Sequence, residues 1–418
     1  MENTTYHLTY IISAVLQILI FSVGAYFFSI SIFGWIKRKE ESTHSFKPQK
    51  TFALVVAAHN EERVIAQMID SLKSLNYPKD LYDIFVVADN CTDSTSAISR
   101  EKGALVYERF NTVKRGKGYA MEWIFDIIFK LDKKYDAVSI FDADNVVSSN
   151  FLMEMNKQLC KGHKVVQGYI DSKNPFDSWI TCSYSIAFWT VNRLFQLSRY
   201  YLGMSCGLCG TGFCIDTEVL KKLGWGATCL TEDLEFTMKL ALNGMKVSWA
   251  HDAVVFDEKP LTLKQSWNQR KRWMQGHADC AIRFFPKLIK KAVKEKNLIA
   301  FDCALYMLQP IRILFMGLVV VMAYLQWFYP RGTFFTMDYI IPTYVWTIFV
   351  IAQFLYGPMI VAAEKKFNLK VLLGFVIYPF YSLTWVPITI QGIIDRENKE
   401  WSHTLHTRQI SINELEEA

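Results

Sequence analysis

Long apolar runs mark the two ends of the chain, and shorter ones fill its middle. The run from Leu8 to Ile36 carries no charged residue and, at about 1.5 Å per residue, is long enough to cross a hydrocarbon core of about 30 Å. Three further long runs follow, at Cys303–Phe328, Tyr339–Ala363 and Val371–Ile394. The pattern predicts four membrane spans, one before and three after a central domain.

Short apolar runs in the central domain alternate between strand and helix patterns. Thr51–Ala58 is continuously apolar, as in a strand that is buried on both faces of a parallel sheet. Helical spacing in Val64–Leu75 is followed by a strand pattern in Tyr82–Ala88, and the helix Tyr119–Leu131 by the strand Ala137–Phe141. This alternation predicts an α/β domain with a Rossmann-like sheet, whose ligands lie beyond the carboxyl ends of the strands.

The composition fits a chain with one membrane part and one water-exposed part. Its 418 residues are 51% hydrophobic and still 21% charged, with a formal net charge of +6. A net positive charge can serve nucleic-acid binding, but in a chain with four predicted membrane spans it favours a positively charged cytosolic face. We therefore expect no nucleic-acid partner. Lys37, Arg38 and Lys39 follow the first run, so the positive-inside rule places the N-terminus outside the plasma membrane and the central domain in the cytosol.

The cysteines predict neither disulfides nor a metal cluster. Nine are present, almost all in the part assigned to the cytosol, where thiols stay reduced. Cys206, Cys209 and Cys214 could suggest zinc, but a fourth ligand and the usual paired spacing are missing. We therefore expect small buried thiols.

Polar side chains follow three predicted strands of the sheet. His59 and Glu61 come after the first, Asp89 after the second, and Asp142 and Asp144 after the third. Carboxylates at i and i+2 on a strand point the same way, and with diphosphate oxygens they suit Mg²⁺ or Mn²⁺. The alternative for Asp89 and Asp93 is helix capping, and the alternative for a lone Asp-x-Asp is a turn.

Lys117 lies at the start of a predicted helix, between Gly116 and Gly118. Free N–H groups and the helix dipole favour a diphosphate at such a position. The Walker A pattern does not occur in the sequence. An isolated lysine would more often be merely exposed.

Thr231, Glu232 and Asp233 open another predicted helix, Leu234–Asn243. A carboxylate here can take the proton of an attacking hydroxyl. The alternative is that Thr231 caps the helix and that both acids only favour its dipole.

A basic, aromatic segment follows about 40 residues later, with Gln269, Arg272 and Trp273 at fixed offsets. Polar groups for hydroxyls, a guanidinium for a diphosphate and an indole face for a sugar ring suit a carbohydrate site. The alternative is that the basic residues of this region face anionic lipid head groups, namely Arg270, Lys271, Arg272 and Arg283. Between the two motifs, Cys209, Gly210 and Thr211 are small enough for a sugar to approach the backbone, although they would also form a tight turn.

Asp-x-Asp, Thr-Glu-Asp and Gln-x-x-Arg-Trp, in this order, resemble the processive family 2 glycosyltransferases, the group of cellulose, chitin and hyaluronan synthases. The resemblance covers about Thr51 to Phe285 and implies a GT-A fold, inserted here between membrane helices. It also implies a UDP-sugar donor and Mg²⁺ or Mn²⁺ as cofactor. Asp233 matches the family's catalytic base, and Trp273 matches the residue that stacks under the acceptor sugar.

The resemblance assigns the remaining roles by position. Catalysis would involve Thr231, Glu232 and Asp233. The donor would be bound by His59, Glu61, Asp89, Lys117, Asp142, Asp144, Gln269 and Arg272, the acceptor by Cys209, Gly210, Thr211 and Trp273, and the metal by Asp144 with Asp142.

The expected function is that of a bacterial membrane polysaccharide synthase. It would polymerise a UDP-sugar with inversion, most simply UDP-glucose into a β-glucan, and move the product across the membrane, alone, as a homo-oligomer or with an accessory export protein. Alternatives are a synthase that uses UDP-N-acetylglucosamine, of the poly-N-acetylglucosamine, chitin or hyaluronan type, and a non-processive enzyme with a lipid acceptor. A catalytically silent scaffold is disfavoured because all three motif carboxylates are present.

The predicted domains are an anchor with its linker (1–47), the GT-A domain (48–285), an interfacial amphipathic helix (286–302), a membrane domain (303–395) and a tail (396–418). Two arguments about the tail conflict. Counting spans places it outside, with a proviso that Pro379 and Pro387 could kink or break the last span, whereas Trp401–Arg408 is similar to family tails that lie near the cytosolic active site.

Overall fold

The computed structural model describes residues 2–36, 40–226, 228–328, 344, 355–398 and 406–416. At its centre is one eight-stranded sheet, in the order β3-β2-β1-β4-β7-β6-β8-β5. The strands are β1 (Phe52–Ala58), β2 (Tyr82–Asp89), β3 (Leu105–Arg109), β4 (Ala137–Asp142), β5 (Val146–Val147), β6 (Val165–Ser172), β7 (Phe213–Asp216) and β8 (Ser248–Asp257). The predicted α/β class is confirmed.

The first half of the sheet is parallel and is covered by helices on both faces. β1 pairs in parallel with β2 on one side and with β4 on the other. Alternate residues of β1 enter different cores, Val55 on one face and Leu54 and Val56 on the other. Burial on both faces explains the continuous apolar run of this strand.

The second half of the sheet is mixed, which the strand patterns did not predict. β7 lies between β4 and β6 and is antiparallel to both, whereas β6 and β8 are parallel with a register shift between Gly168 and Tyr169. A Cβ on Gly168 would lie 2.6 Å from the carbonyl oxygen of Ala253. Only glycine therefore fits where the two strands approach most closely.

Helices of the sheet domain surround this sheet. They are α2 (Ile65–Lys73), α3 (Thr95–Glu101), α4 (Lys117–Ile128), α5 (Phe151–Cys160), α6 (Trp179–Val191), α7 (Ser198–Leu202), α8 (Thr217–Leu223), α9 (Glu232–Leu242) and α10 (Leu263–Glu295). A π-helical turn, Asn192–Leu197, joins α6 to α7. The helix α10 continues through residues 285 and 286, so the predicted domain boundary at this point falls inside one helix.

The apolar helices are α1 (Glu2–Ser31), α11 (Leu298–Met307), α12 (Gln309–Phe328), α13 (355–363), α14 (Leu369–Leu383) and α15 (Trp385–Ile394), followed by the short α16 (Ile412–Glu416). Two described stretches, Ala14–Trp35 and Leu369–Ile394, are long and apolar enough to cross a membrane. A third would be the pair Leu298–Met307 and Gln309–Met322, bent by 53°. The predicted span Tyr339–Ala363 lies largely outside the described residues.

Buried ionic contacts tie the apolar helices to the sheet domain. The guanidinium of Arg199 on α7 donates to both carboxylate oxygens of Asp302 on α11, at 2.8 and 2.9 Å. The hydroxyl of Tyr26 on α1 donates to the same carboxylate at 3.0 Å. At a second junction, Glu364 accepts from Tyr169 and pairs with Arg193. Helices from both ends of the chain are therefore fixed to the sheet domain by charge as well as by packing.

Candidate active site

The carboxyl end of β4 carries Asp142, which forms an ion pair with Lys117 at the first turn of α4. The ammonium of Lys117 also donates to the carbonyl oxygen of Gly210 at 2.6 Å. Burial opposes the charge of Lys117, yet Asp142 and Glu232 hold its pKa above the usual value. Three predicted site segments thus meet at one lysine.

Asp233 lies on the other side of Gly210. A Cβ on Gly210 would be 3.6 Å from Asp233 Oδ2, and the φ of Gly210 is +81°, so this position favours glycine. Burial and then the charge of Glu232 raise the pKa of Asp233 to about 7. The result is a carboxyl group next to the backbone of Gly210 that can accept a proton near neutral pH.

Thr231 precedes α9 but its side chain does not cap the helix. It packs instead against Gly276 of α10, where a Cβ would overlap the threonine hydroxyl. The capping alternative is therefore wrong for Thr231. Its contact holds the start of α9, with Glu232 and Asp233, against α10.

The segment Cys209–Thr211 is fixed beneath Asp142. The N–H of Cys209 donates to Gln167 Oε1 at 2.9 Å, and the N–H of Asp142 donates to Thr211 Oγ1 at 3.1 Å. Burial raises the pKa of the Cys209 thiol to about 12. Of the three consecutive predicted acceptor residues, Thr211 therefore contacts Asp142 and Gly210 lies next to Asp233.

Asp144 occupies a separate, buried position at the same edge. Its Oδ2 accepts the N–H of Glu258 at 3.1 Å and lies 3.9 Å from Nε2 of His406. The other ring nitrogen of His406 is 3.0 Å from Oε1 of Glu61. Burial opposes protonation of His406, but Asp144 and Glu61 raise its pKa to about 10. Two predicted donor residues, Glu61 and Asp144, are thus bridged by a histidinium that the motifs did not identify.

His406 also bears on the two arguments about the tail. Its contacts place the described tail residues on the sheet domain, as the resemblance predicted.

Asp89 and His59 meet at the end of β2. His59 Nδ1 lies 2.7 Å from the carbonyl oxygen of Asp89, and the Asp89 carboxylate pairs with Arg109 at 2.5 Å. The neighbouring Asp93 accepts the N–H of Thr95, the first residue of α3, at 3.0 Å, although the N-cap residue of this helix is Ser94. Arg109, at the end of β3, was missed because no motif surrounds it.

The basic, aromatic segment lies on α10 and faces two ways. Gln269 accepts from the hydroxyl of Tyr184 at 2.9 Å, and Trp273 stacks on Trp385 with ring centroids 6.4 Å apart and planes at 22°. Burial raises the pKa of Glu232, while the charges of Lys117 and Arg272 oppose that rise, so Arg272 faces the acidic motif.

Arg270 turns away from this site. Its side chain is fully buried, donates to Thr384 Oγ1 at 2.8 Å and lies over the ring of Tyr381. Lys271 pairs with Asp395. The alternative of a lipid-facing basic stripe is therefore wrong for Arg270.

Comparison with known proteins places this geometry in a family. The sequence model described as "Glycosyltransferase like family 2" matches residues 48–276, which is more than half of the chain. The chain belongs to glycosyltransferase family 2. The match includes all predicted site residues from His59 to Trp273.

Several relatives of this glycosyltransferase are curated proteins. The probable glycosyltransferase YdaM of Bacillus subtilis is 25% identical over 82% of this chain and 81% of its own length. The β-monoglucosyldiacylglycerol synthase of Nostoc is 26% identical over 61% of this chain and 54% of its own, so the chain spans about half of that relative. The poly-β-1,6-N-acetyl-D-glucosamine synthase of Staphylococcus epidermidis is 24% identical over 60% of each.

A solved relative supports the GT-A-like fold of this glycosyltransferase. The mannosyltransferase of Pyrobaculum calidifontis, in complex with GDP-Man and Mn²⁺, superposes with a TM-score of 0.61 at 18% identity and covers 93% of this chain and 98% of its own. The similarity extends beyond the sheet domain to the apolar helices.

The donor set at this edge of the glycosyltransferase suits a divalent cation only in part. Among the described residues, no group of three or more His, Cys, Asp or Glu side chains is arranged around one metal position. The carboxylate of Asp144 and the imidazole of His406 are an oxygen and a nitrogen group of the kinds that Mn²⁺ accepts as ligands, and substrate oxygens commonly complete such sites. All nine cysteines are free thiols.

Proposed function

We propose that this glycosyltransferase transfers a hexose from a UDP-sugar to an acceptor hydroxyl, with inversion at the anomeric carbon. One observation carries the proposal: Asp233, whose pKa is raised to about 7, has a carboxylate oxygen 3.6 Å from where a Cβ of Gly210 would lie. The carbonyl oxygen of the same Gly210 accepts from Lys117, which pairs with Asp142. A base on one side of a sugar and diphosphate-binding groups on the other are what a single displacement requires.

In this reaction Asp233 takes the proton of the acceptor hydroxyl as its oxygen bonds to the anomeric carbon. The bond from that carbon to the diphosphate breaks with its electron pair, and UDP leaves. Lys117 lies beside both Asp142 and Glu232, so its charge can stabilise negative charge on the leaving oxygen. Because the acceptor oxygen attacks one face of the anomeric carbon and UDP leaves from the opposite face, an α-linked donor gives a β-linked product.

Asp144 and His406, with Asp142 as the further predicted ligand, would hold Mg²⁺ or Mn²⁺ together with the diphosphate. The cation would neutralise charge on the departing UDP. His406 must lose its proton to bind a metal. A cation of charge +2 next to Asp144 and Glu61 would replace the stabilisation that the imidazolium now supplies.

UDP-glucose is the proposed donor and a β-glucan the proposed product. The names of relatives support a β-linked glucose or N-acetylglucosamine, since one is a β-monoglucosyldiacylglycerol synthase and another a poly-β-1,6-N-acetyl-D-glucosamine synthase. The aromatic surroundings of Trp273, with Tyr184 and Phe188 near its ring, suit a growing glycan chain. Export of that glycan, with or without a partner protein, is part of the proposal.

A lipid acceptor is the second candidate, and one contact favours it. Trp385, which stacks on Trp273, begins the second half of the apolar stretch Leu369–Ile394. A helix that can enter a membrane thus reaches the acceptor residue itself. A lipid hydroxyl or phosphate at the membrane surface would meet Trp273 by this path.

We further propose that the enzyme is a multi-pass plasma-membrane protein whose sheet domain is cytosolic. The apolar stretches at both ends of the described structure support this. Protease added to sealed spheroplasts should leave the sheet domain intact. Cleavage there without permeabilisation would contradict the orientation.

The deciding experiment uses the full chain in nanodiscs with radiolabelled UDP-glucose or UDP-N-acetylglucosamine and Mn²⁺. A metal-dependent polymer that Asp233→Asn cannot make would establish the synthase and name its donor. Label only in the organic extract would establish the lipid acceptor instead. Absence of both products, with no UDP binding, would overturn the catalytic proposal.

A further inference from the structure

The segment 406–411, called here the strap, crosses the carboxyl edge of the sheet. Gln409 donates to the carbonyl oxygen of Arg63 at 2.8 Å, and Arg408 pairs with Asp177 at 3.0 Å. Between these anchors lies His406, which faces Asp144. The strap is therefore a covering element whose position decides where one imidazole points.

Glu258, just beyond the end of β8, holds the strap by its backbone. Its carboxylate accepts the N–H of Thr407 at 3.1 Å and the N–H of Arg408 at 2.9 Å. Its own N–H donates to Asp144 Oδ2 at 3.1 Å. One buried residue therefore touches the carboxylate of the metal site through its backbone and the strap through its side chain.

Two consecutive N–H groups on one carboxylate fix the direction of the chain more tightly than a single side-chain contact. Hydrogen bonds to a charged acceptor are also stronger than neutral ones. The residue immediately before this pair is His406. The other strap contacts lie at Arg408 and Gln409, one and two residues beyond Thr407, and one of them is half exposed.

We propose that Glu258 is a positioning residue, which seats the strap so that His406 and Asp144 form one divalent-cation site. Glu258 needs no contact with metal or sugar for this role. The inference rests on the proposed function, in which this edge holds the metal and the diphosphate. The inference goes beyond the proposed function because it assigns the geometry of the cation site to Glu258, which lies outside the predicted motifs.

The test compares Glu258→Gln with a matched control, Asp177→Asn, in full-length protein in nanodiscs. The glutamine keeps the size of the side chain and one oxygen for both N–H donors, which already share one carboxylate oxygen, but it removes the negative charge that strengthens these hydrogen bonds. Asp177→Asn weakens a strap contact that does not touch the Thr407 or Arg408 amides. Measurements are hydrogen exchange of the peptide that contains 406–411 and Mn²⁺ affinity by electron paramagnetic resonance with UDP present.

We expect Glu258→Gln to speed exchange at Thr407 and Arg408 and to weaken Mn²⁺ binding, each by about ten-fold or more, as for loss of a hydrogen bond to a charged group. Asp177→Asn should change Mn²⁺ affinity less than three-fold, by our estimate from the small value of exposed ion pairs. If Glu258→Gln fails to fold, Thr407→Pro removes one donor and leaves the carboxylate, and should give the same two changes.

Unchanged exchange in Glu258→Gln would overturn the proposal, and so would faster exchange with unchanged Mn²⁺ affinity. Failure of the proposed function would look different. In that case the wild-type protein itself binds no Mn²⁺ with UDP, and the assignment of a metal site at Asp144 and His406 is lost for every variant alike.

Discussion

Asp233 shows how a single residue is tuned by its neighbours. Its carboxyl is buried next to Glu232, and both effects raise its pKa, to about 7. Lys117 acts in the opposite direction. The pKa of this carboxyl thus depends on two charges from different parts of the sequence. One belongs to the adjacent residue and the other to a residue more than a hundred positions earlier.

The pH dependence of transfer should report this carboxyl. Because only the deprotonated form accepts a proton, kcat/KM should rise with pH through about 7 and then level off. Glu232→Gln removes a like charge, so the pKa of Asp233 should fall and the rising limb should move to lower pH. The measurement is initial rate against pH at subsaturating donor.

Glu218→Gln is the control for this shift, because its side chain is 80% exposed on α8. Its profile should match that of the wild type. A limb that stays in place in Glu232→Gln, or moves to higher pH, would show that another group is the base.

Among single residues, the sequence pointed to most of the side chains of the candidate site but did not predict which residues contact them. Asp142, Asp144 and Asp233 could be predicted because each stands in a local pattern next to a strand or helix end. Arg109 and Glu258 could not, because each reaches the site only after strands are brought together, and His406 was included only within the tail Trp401–Arg408 that the resemblance places near the site. A local sequence pattern predicts at which strand or helix end a side chain lies, whereas the residues that it contacts depend on the tertiary structure.

Among the elements, α10 connects the acidic motif at the start of α9 to the apolar helix α15. Thr231 packs against its Gly276, and a Cβ on Gly392 of α15 would lie 2.5 Å from Met274 of the same helix. Glycine at both contacts lets three helices approach closely. The position of Asp233 relative to Trp273 therefore depends on the contact at Gly276, and the position of α15 on the contact at Gly392.

Gly276→Ala should displace the start of α9. Its new methyl group meets the side chain of Thr231, so we expect overpacking of about 1–3 kcal/mol and at least a ten-fold loss of kcat by our estimate from the sensitivity of rate to alignment. Melting temperature and kcat in detergent measure both effects.

Gly24→Ala is the matched control, since nothing lies within 4 Å of a Cβ there. It should leave both quantities unchanged. Wild-type kcat in Gly276→Ala would mean that the contact does not position the acidic motif.

Prediction of elements succeeded where the periodicity was strong. β1, β2 and β4 and the helices between them follow the expected order because their apolar patterns are continuous or helical. The antiparallel β7 was not foreseen, since four residues are too few to show a direction. The full length of α10 was not predicted either. Pro286 lies within this helix, and a proline in a sequence usually indicates a helix end or kink.

For the molecule as a whole, the ion pair between Arg199 and Asp302 joins parts far apart in sequence. Both side chains are at most 2% exposed, and Tyr26 brings α1 to the same carboxylate. A buried pair contributes little net stability, but removal of one partner leaves an uncompensated charge.

Asp302→Leu should therefore destabilise the protein by about 3–5 kcal/mol, and Arg199→Met in the same chain should recover most of that loss. Tyr26→Phe removes only one hydrogen bond and should cost about 1 kcal/mol. Thermal unfolding in nanodiscs gives all three values. A double variant as unstable as Asp302→Leu alone would mean that packing, and not charge, holds this junction.

The strap has a consequence for biosynthesis. The ribosome completes the whole sheet, both motifs and the last described apolar stretch before it adds residues 406–408. A nascent chain that has reached residue 405 would thus already contain Asp233 but would lack the imidazole beside Asp144. If that imidazole helps to hold the donor as proposed, such an unfinished chain could not consume nucleotide sugar.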